Sequence, residues 1–412
     1  MPRHHFHRAF VVSASIAAVG LPGAQAQEAF SDATGWRVDV QSTLQIIHER
    51  SHLRSEYGGG DARKSAGELR VNIGMTCEQE WCRGTRVVLK PRLWLGDEDV
   101  PAFVPSQRPD GFAEAYAIMP LESVELGAGK RLVGWGPSML YSPTNRLFPD
   151  NGAMSPRREI PGKPMASAAF GLGERGRVSL IVADPRLDDV AAIDSDGVFG
   201  LARAEWNWFT EHVATLGTVV AGGGGFEPYV GGYFQYGLGE AWTLGAEFAA
   251  SKGYATSDPD LIRLSQNDRE WTWDGTIGVR YGFASGAEIG LEFIYNGYAL
   301  SDQELQNPAI AAWPSNGSKP SRNRPLHPFV QERYALLQST WPKLFGDRRW
   351  GLTARVQQGL DASARDAFLE LSYSPTDATT FFLGYSHSSA SRDLAISRPV
   401  ERSGYAAFEI HF

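Results

Sequence analysis

Stretch after stretch of this chain alternates in character from one residue to the next. "EWTWDGTIGVRYGF" sets Trp271, Trp273, Ile277, Val279, Tyr281 and Phe283 on one side and Thr272, Asp274, Thr276 and Arg280 on the other. "WRVDVQSTLQI" sets Trp36, Val38, Val40, Leu44 and Ile46 opposite Arg37, Asp39, Gln41, Thr43 and Gln45. "TRVVLKPRLWL" sets Val87, Leu89, Leu93 and Leu95 against Arg86, Lys90 and Arg92. A period of two is that of a strand with unlike faces. About eighteen such segments can be marked, the first over 36–49 and the last over 403–412, with sixteen as the alternative count. Aromatic residues often stand at their ends, as Trp36, Trp242, Trp271 and Trp350 do.

The connections between segments alternate in length. One set is short: "CEQEWC", "PL", "GERG", "TE", "GLGE", "ASG", "FGDRR" and "SPTD". The other set is mostly long, spanning 50–67, 96–110, 130–164, 185–198, 252–268, 300–330 and 390–402, with short exceptions near 222–225 and 360–364. A sandwich or a propeller gives no reason for such alternation. A closed antiparallel transmembrane β-barrel does, with short turns on the periplasmic side and long loops outside. Its spans of about ten alternating residues escape a search for apolar helices, and no stretch of the mature chain is long and apolar enough for one.

The first 26 residues are of another kind. Arg3 and Arg8 precede an apolar run from Ala9 to Leu21 and the small-residue pattern Ala24-Gln25-Ala26, the features of a secretory signal peptide over 1–26. That leaves 27–412 for the barrel. With Arg3 and Arg8 removed, 37 basic residues face 47 acidic ones, a balance that excludes a nucleic-acid partner. The two cysteines, Cys77 and Cys82, stand within one short turn, and in an oxidising compartment a disulfide is expected. "HERSH" spaces His48 and His52 like a zinc pair, but at a strand end rather than on a helix, so no metal and no cofactor is expected.

The chain finishes "SGYAAFEIHF", an alternating strand whose last residue is aromatic. In Tyr405, Phe408, Ile410 and Phe412 it resembles the C-terminal strand of Gram-negative outer-membrane β-barrel proteins. The resemblance implies an outer-membrane location in contact with lipid. It also implies that periplasmic chaperones and the barrel-insertion machinery read the strand ending at Phe412, and that this strand seals against the first.

The most distinctive connection is 130–164. It carries Lys130, Arg131, Arg146, Arg157, Arg158 and Lys163 beside Trp135, Tyr141 and Phe148, and its glycines and prolines fix a backbone without regular structure. Its "WGP" at 135–137, with Ser142, Asn145 and Pro149, resembles a motif of large outer-membrane barrels, among them the capsule-assembly family that binds surface polysaccharide and porin-like proteins. We read it as a loop folded into the lumen that narrows the passage, with Lys130, Arg131, Trp135, Tyr141, Asn145, Arg146, Arg157 and Arg158 as its constricting residues.

Inward positions of the first three segments are basic: Arg37, Arg70, Arg86, Lys90 and Arg92. Later inward positions are mixed or acidic: Glu205, Glu247, Asp274, Arg280, Glu288 and Glu292. Opposed walls of this kind put a transverse field across a wet lumen and set ion selectivity; the alternative is that they pair across strands and only solvate the interior. The function expected is a channel for passive diffusion or export of small or oligomeric polar solutes, anionic ones included. The alternative is a non-conducting barrel that binds polysaccharide. A third reading, a membrane-embedded hydrolase, has one local candidate, His387 with Ser386 or Ser388, and no enzyme is expected.

Overall fold

The computed structural model describes residues 35–53, 60–96, 111–148, 160–183, 198–209, 213–223, 226–251, 271–297, 299, 331–361, 364–390 and 400–411. The leader over 1–26, Pro149, Arg157, Arg158 and Phe412 lie outside the described residues.

The strands in chain order are β1 (Trp36–Leu53), β2 (Gly60–Cys77), β3 (Arg86–Gly96), β4 (Gly111–Leu121), β5 (Val124–Arg131) and β6 (Lys163–Leu172). There follow β7 (Gly176–Ala183), β8 (Phe199–Phe209), β9 (Val213–Gly223), β10 (Phe226–Leu238), β11 (Trp242–Ser251) and β12 (Thr272–Gly282). The last six are β13 (Glu288–Asn296), β14 (Arg333–Trp341), β15 (Trp350–Gly359), β16 (Ala364–Thr376), β17 (Thr379–Ala390) and β18 (Val400–His411). Each pairs antiparallel with its neighbours in sequence, and β1 pairs with β18 from Thr43 opposite His411 to Leu53 opposite Val400. The sheet therefore closes into an 18-stranded barrel.

Facing follows the period of two. Exposed apolar side chains form an outward belt, among them Leu95, Leu180, Phe248, Ile277, Leu337 and Leu383. A belt this continuous is a lipid-facing surface. At the short-turn rim it ends in aromatic pairs: Trp242 with Tyr281 at 4.7 Å, Phe283 with Trp341 at 5.7 Å, Trp350 with Tyr373 at 4.5 Å and Phe381 with Phe408 at 4.9 Å. Rings of this kind suit the boundary between hydrocarbon and water.

The strands β1 and β2 reach further than hydrophobic alternation indicates. The connection expected over 50–67 shrinks to 54–59, because the ladder continues from Glu49 opposite Lys64 up to Leu53 opposite Gly60. Residues there are polar on both faces, so the hydrophobic period vanishes while backbone pairing persists. At the other rim Cys77 and Cys82 are disulfide-bonded across the turn between β2 and β3, with Cα atoms 5.8 Å apart.

Candidate functional site

After β5, residues 132–148 turn inward, and their root shows why. Pro91 has no amide hydrogen to offer the ladder, and the register between β3 and β4 shifts between Lys90 and Pro91. The shift leaves Ala113 without a partner on β3 and turns Glu114 into the interior. Glu114 then holds Lys90 on one side and accepts the backbone N–H of Leu132, the first residue past β5, at 3.1 Å. The returning end is caught beside it, where Gly162 N–H donates to the Ala113 carbonyl at 2.8 Å. One bulge thus clamps both ends of the loop.

From that root, residues 132–148 lie against the inner wall. Trp135, Leu147 and Phe148 pack on Ile181, Phe199, Leu201, Val219 and Tyr229, so this part covers β7 to β10. Leu140 and Tyr141 pack on Ile294, Tyr334 and Leu336, covering β13 and β14. Asn145 ties the loop to itself, donating from Nδ2 to the Val133 carbonyl at 2.8 Å and accepting Phe148 N–H at Oδ1, 3.2 Å.

Between these apolar patches sit three buried carboxylates. Glu247 is 1% exposed and accepts four hydrogen bonds from the loop: Ser138 Oγ at 2.7 Å, Thr144 N–H at 2.9 Å, Thr144 Oγ1 at 2.6 Å, and Ser142 Oγ. Glu292 accepts Met139 N–H at 2.7 Å. Asp274 accepts Tyr141 Oη at 2.6 Å and lies 3.7 Å from the Arg146 guanidinium, which also donates to Ser251 Oγ at 3.1 Å and rests 4.6 Å over the Tyr229 ring. A buried carboxylate is stable only with such donors around it. The wall makes room for them. A Cβ on Gly245 would stand 2.8 Å from Pro137 Cβ, and one on Gly290 would collide with the Met139 sulfur. Gly136, at φ +84°, bends the loop against Glu247 where any side chain would strike that carboxylate.

The opposite wall is nine strands away around the ring. Three of its basic residues are spaced by acids. Arg70 donates to Glu68 at 2.6 Å and to Gln45 at 3.0 Å, Arg92 lies 3.5 Å from the other oxygen of Glu68, and Lys90 meets Glu114. Three positive charges here meet two negative ones. Nearer the short-turn mouth, Arg37 reaches Glu78 at 3.7 Å with both side chains half exposed, and Arg86 is exposed.

The structure therefore brings Trp135, Tyr141, Asn145 and Arg146 together against Glu247, Asp274 and Glu292. Lys130 and Arg131 belong to β5 instead of the loop. Lys130 shares the face of Leu126, away from the lumen, while Arg131 points inward, 5.3 Å over the Tyr116 ring. Glu205 is a partner of Tyr233 Oη at 2.6 Å. Arg280 lines a small recess under the loop with Pro137, Met139 and Glu292, and Glu288 lies at the short-turn end of β13. His387 and its serine neighbours point to opposite faces, and Ser386 Oγ is 2.9 Å from Ser403 Oγ. The loop hydroxyls Ser138 and Thr144 and the wall acids Glu68 and Glu114 were not among the expected residues, and Ser142 was marked only as part of the "WGP" motif. The one available signal for the seat was a run of glycines at inward positions of β10 to β13.

No protein-family model and no curated protein matches the chain. Solved structures do. OccAB1 of Acinetobacter baumannii is 11% identical over 91% of this chain and 96% of its own, with a TM-score of 0.54. A BenF-like porin of Pseudomonas fluorescens is 12% identical over 91% and 98%, with a TM-score of 0.56. OccK2 of Pseudomonas aeruginosa, solved in complex with glucuronate, is 12% identical over 91% and 98%, with a TM-score of 0.51. The shared property is the fold, an all-β closed barrel of the outer-membrane porin kind.

Proposed function

We propose that this chain is a Gram-negative outer-membrane channel for passive passage of small polar solutes, with a preference for anions. The observation that carries the reading is the asymmetry of the lumen. Residues 132–148 cover the acidic wall and withdraw its carboxylates from water, while on the basic wall Arg70 and Lys90 keep 19% and 28% of their side chains exposed. Charge that remains exposed to the lumen sets selectivity. The solved neighbours are channels, and the glucuronate bound by one of them is a carboxylate sugar, a solute such a lumen would suit. Polysaccharide binding by the "WGP" loop is less well supported, because Trp135 and Tyr141 are buried against the barrel wall and present no ring for a sugar to stack on.

Recording in planar bilayers under a salt gradient tests the proposal. Single channels with a reversal potential of anionic sign are expected. Deleting 138–160 should raise conductance and weaken the anion preference, since it both opens the lumen and uncovers Glu247, Asp274 and Glu292. A correctly folded deletion with unaltered conductance would place the loop outside the conduction path.

A further inference from the structure

We propose that the outer face of the barrel seam carries a binding site for a phosphorylated glycolipid of the outer leaflet. The proposal rests on the outer-membrane placement argued above, with the long loops outside.

Outward positions of β1 run apolar from Trp36 through Val38, Val40 and Leu44 to Ile46, a ten-residue rise that matches the hydrocarbon layer, Ser42 being the one polar step. Directly above, the same face turns to His48, Arg50 and His52. Register extends this patch sideways. On β2, Arg63 lies opposite Arg50 and Asp61 opposite His52. On β18, Arg402 lies opposite His52, and on β17 His387 lies opposite Arg402. Three guanidiniums and three imidazoles therefore meet at the height of lipid headgroups. Against them stands one carboxylate, Asp61, which Arg50 and His52 already share, the latter at 2.8 Å. A second acid, Glu401, stands beside Arg402 at the bulge where β18 pairs with the end of β1.

Two features single out a lipid rather than water as the complement. Arg50 directly opposite Arg63 is a like-charged cross-strand pair, which is unfavourable until an anion bridges it. Guanidiniums also present paired donors that match phosphate oxygens. Beside the cations the surface is hollow. On β18 the neighbours of Arg50 and His48 are Gly404 and Ala406, and a Cβ on Gly404 would meet no side chain closer than 4.0 Å. The far side of this trough is formed by Tyr385 and Leu383 of β17, and Ile46 lies below it, all three about half exposed or more. A phosphate held by Arg50, Arg63 and Arg402 would leave its acyl chain to run down the trough over apolar side chains.

Native mass spectrometry of the folded full-length barrel in detergent, titrated with bisphosphorylated lipid A and with its dephosphorylated form, tests this. Wild type should retain the bisphosphorylated lipid in preference. Replacing two of the arginines, Arg63→Gln with Arg402→Gln, should weaken that binding about thirtyfold, at roughly one tenfold-or-less step per surface charge. Asp61→Asn removes the competing carboxylate and should tighten it about fivefold. Heat-modifiable mobility on gels verifies folding, and single-channel conductance should not change, because these residues face away from the lumen. Equal retention of both lipids by wild type, undiminished binding by the double variant, or displacement of the lipid by millimolar inorganic phosphate would overturn the site. Loss of conductance in wild type would count against the channel reading and leave the lipid measurement standing.

Discussion

The two walls of the lumen carry charges in comparable number but in different states. On β11 to β13, Glu247, Asp274 and Glu292 are 0–2% exposed, and each accepts at least one hydrogen bond from the loop. On β1 to β3 the basic residues alternate with fewer acids, and Arg37 and Arg86 remain in contact with water. A charge count over the whole chain gives a net of −8, but it does not distinguish carboxylates buried under the loop from charges in contact with water. The acids of β11 to β13 hold residues 132–148 in place, a role the basic residues of β1 to β3 do not share in the hydrogen bonds described above.

The contrast breaks most sharply if Glu247 is removed. Glu247→Ala orphans four loop donors and should cost about 4 kcal/mol of loop docking, the scale expected when several buried donors lose a charged acceptor. Limited proteolysis within 132–148 of the folded barrel, together with a larger single-channel conductance, reads the effect; a protease-resistant loop would mean that the apolar contacts alone hold it. Next in size is a wedge. Gly245→Leu drives a side chain into the space that Pro137 occupies and should cost about 2 kcal/mol. Conductance should rise while the barrel stays folded, and an unchanged current would show that the loop tolerates displacement. The smallest effect belongs to the opposite wall. Neutralisation by Arg86→Gln removes one charge and alters the energy of an ion passing within roughly 4 Å by about 1 kcal/mol in water, or about fivefold in permeability ratio. The reversal potential should shift towards cations with little change in thermal stability. A shift of the same size from a lipid-facing substitution such as Val279→Thr would remove the wall as its cause.

How far the sequence could be read depended on the kind of order involved. Alternation in "WRVDVQSTLQI" and "EWTWDGTIGVRYGF" reports a local property, the pleat, and the inward and outward sets named from it coincide with the observed faces. The order of short and long connections reports topology. Register between strands, by contrast, is a non-local property. Nothing in the composition of β2 or β4 announces that Glu68 sits between Arg70 and Arg92 or that a bulge at Pro91 aims Glu114 at the loop root. The aromatic content of 130–164 pointed to residues that pack, and 132–148 do lie on the barrel wall. Their means of attachment was not legible, because the contacts are made by backbone amides and by Ser138, Ser142 and Thr144, residues whose hydroxyls serve turns and caps as readily as carboxylates. Of the constricting arginines that are described, Arg146 lies against Asp274 and Arg131 against Tyr116.

Closure through β1 and β18 has a temporal consequence. Thr43 and His411 touch across a gap of 368 positions in the chain. No contact of such separation forms until the whole polypeptide is present, and its loop-closure entropy is paid before any of its hydrogen bonds are made. Until then β1 and β18 are open edges, each able to pair with another chain. The ring is consequently slow to complete. Once joined, it has no frayed edge from which unzipping could start, so its persistence is a matter of barrier height, a lifetime more than a balance of free energies.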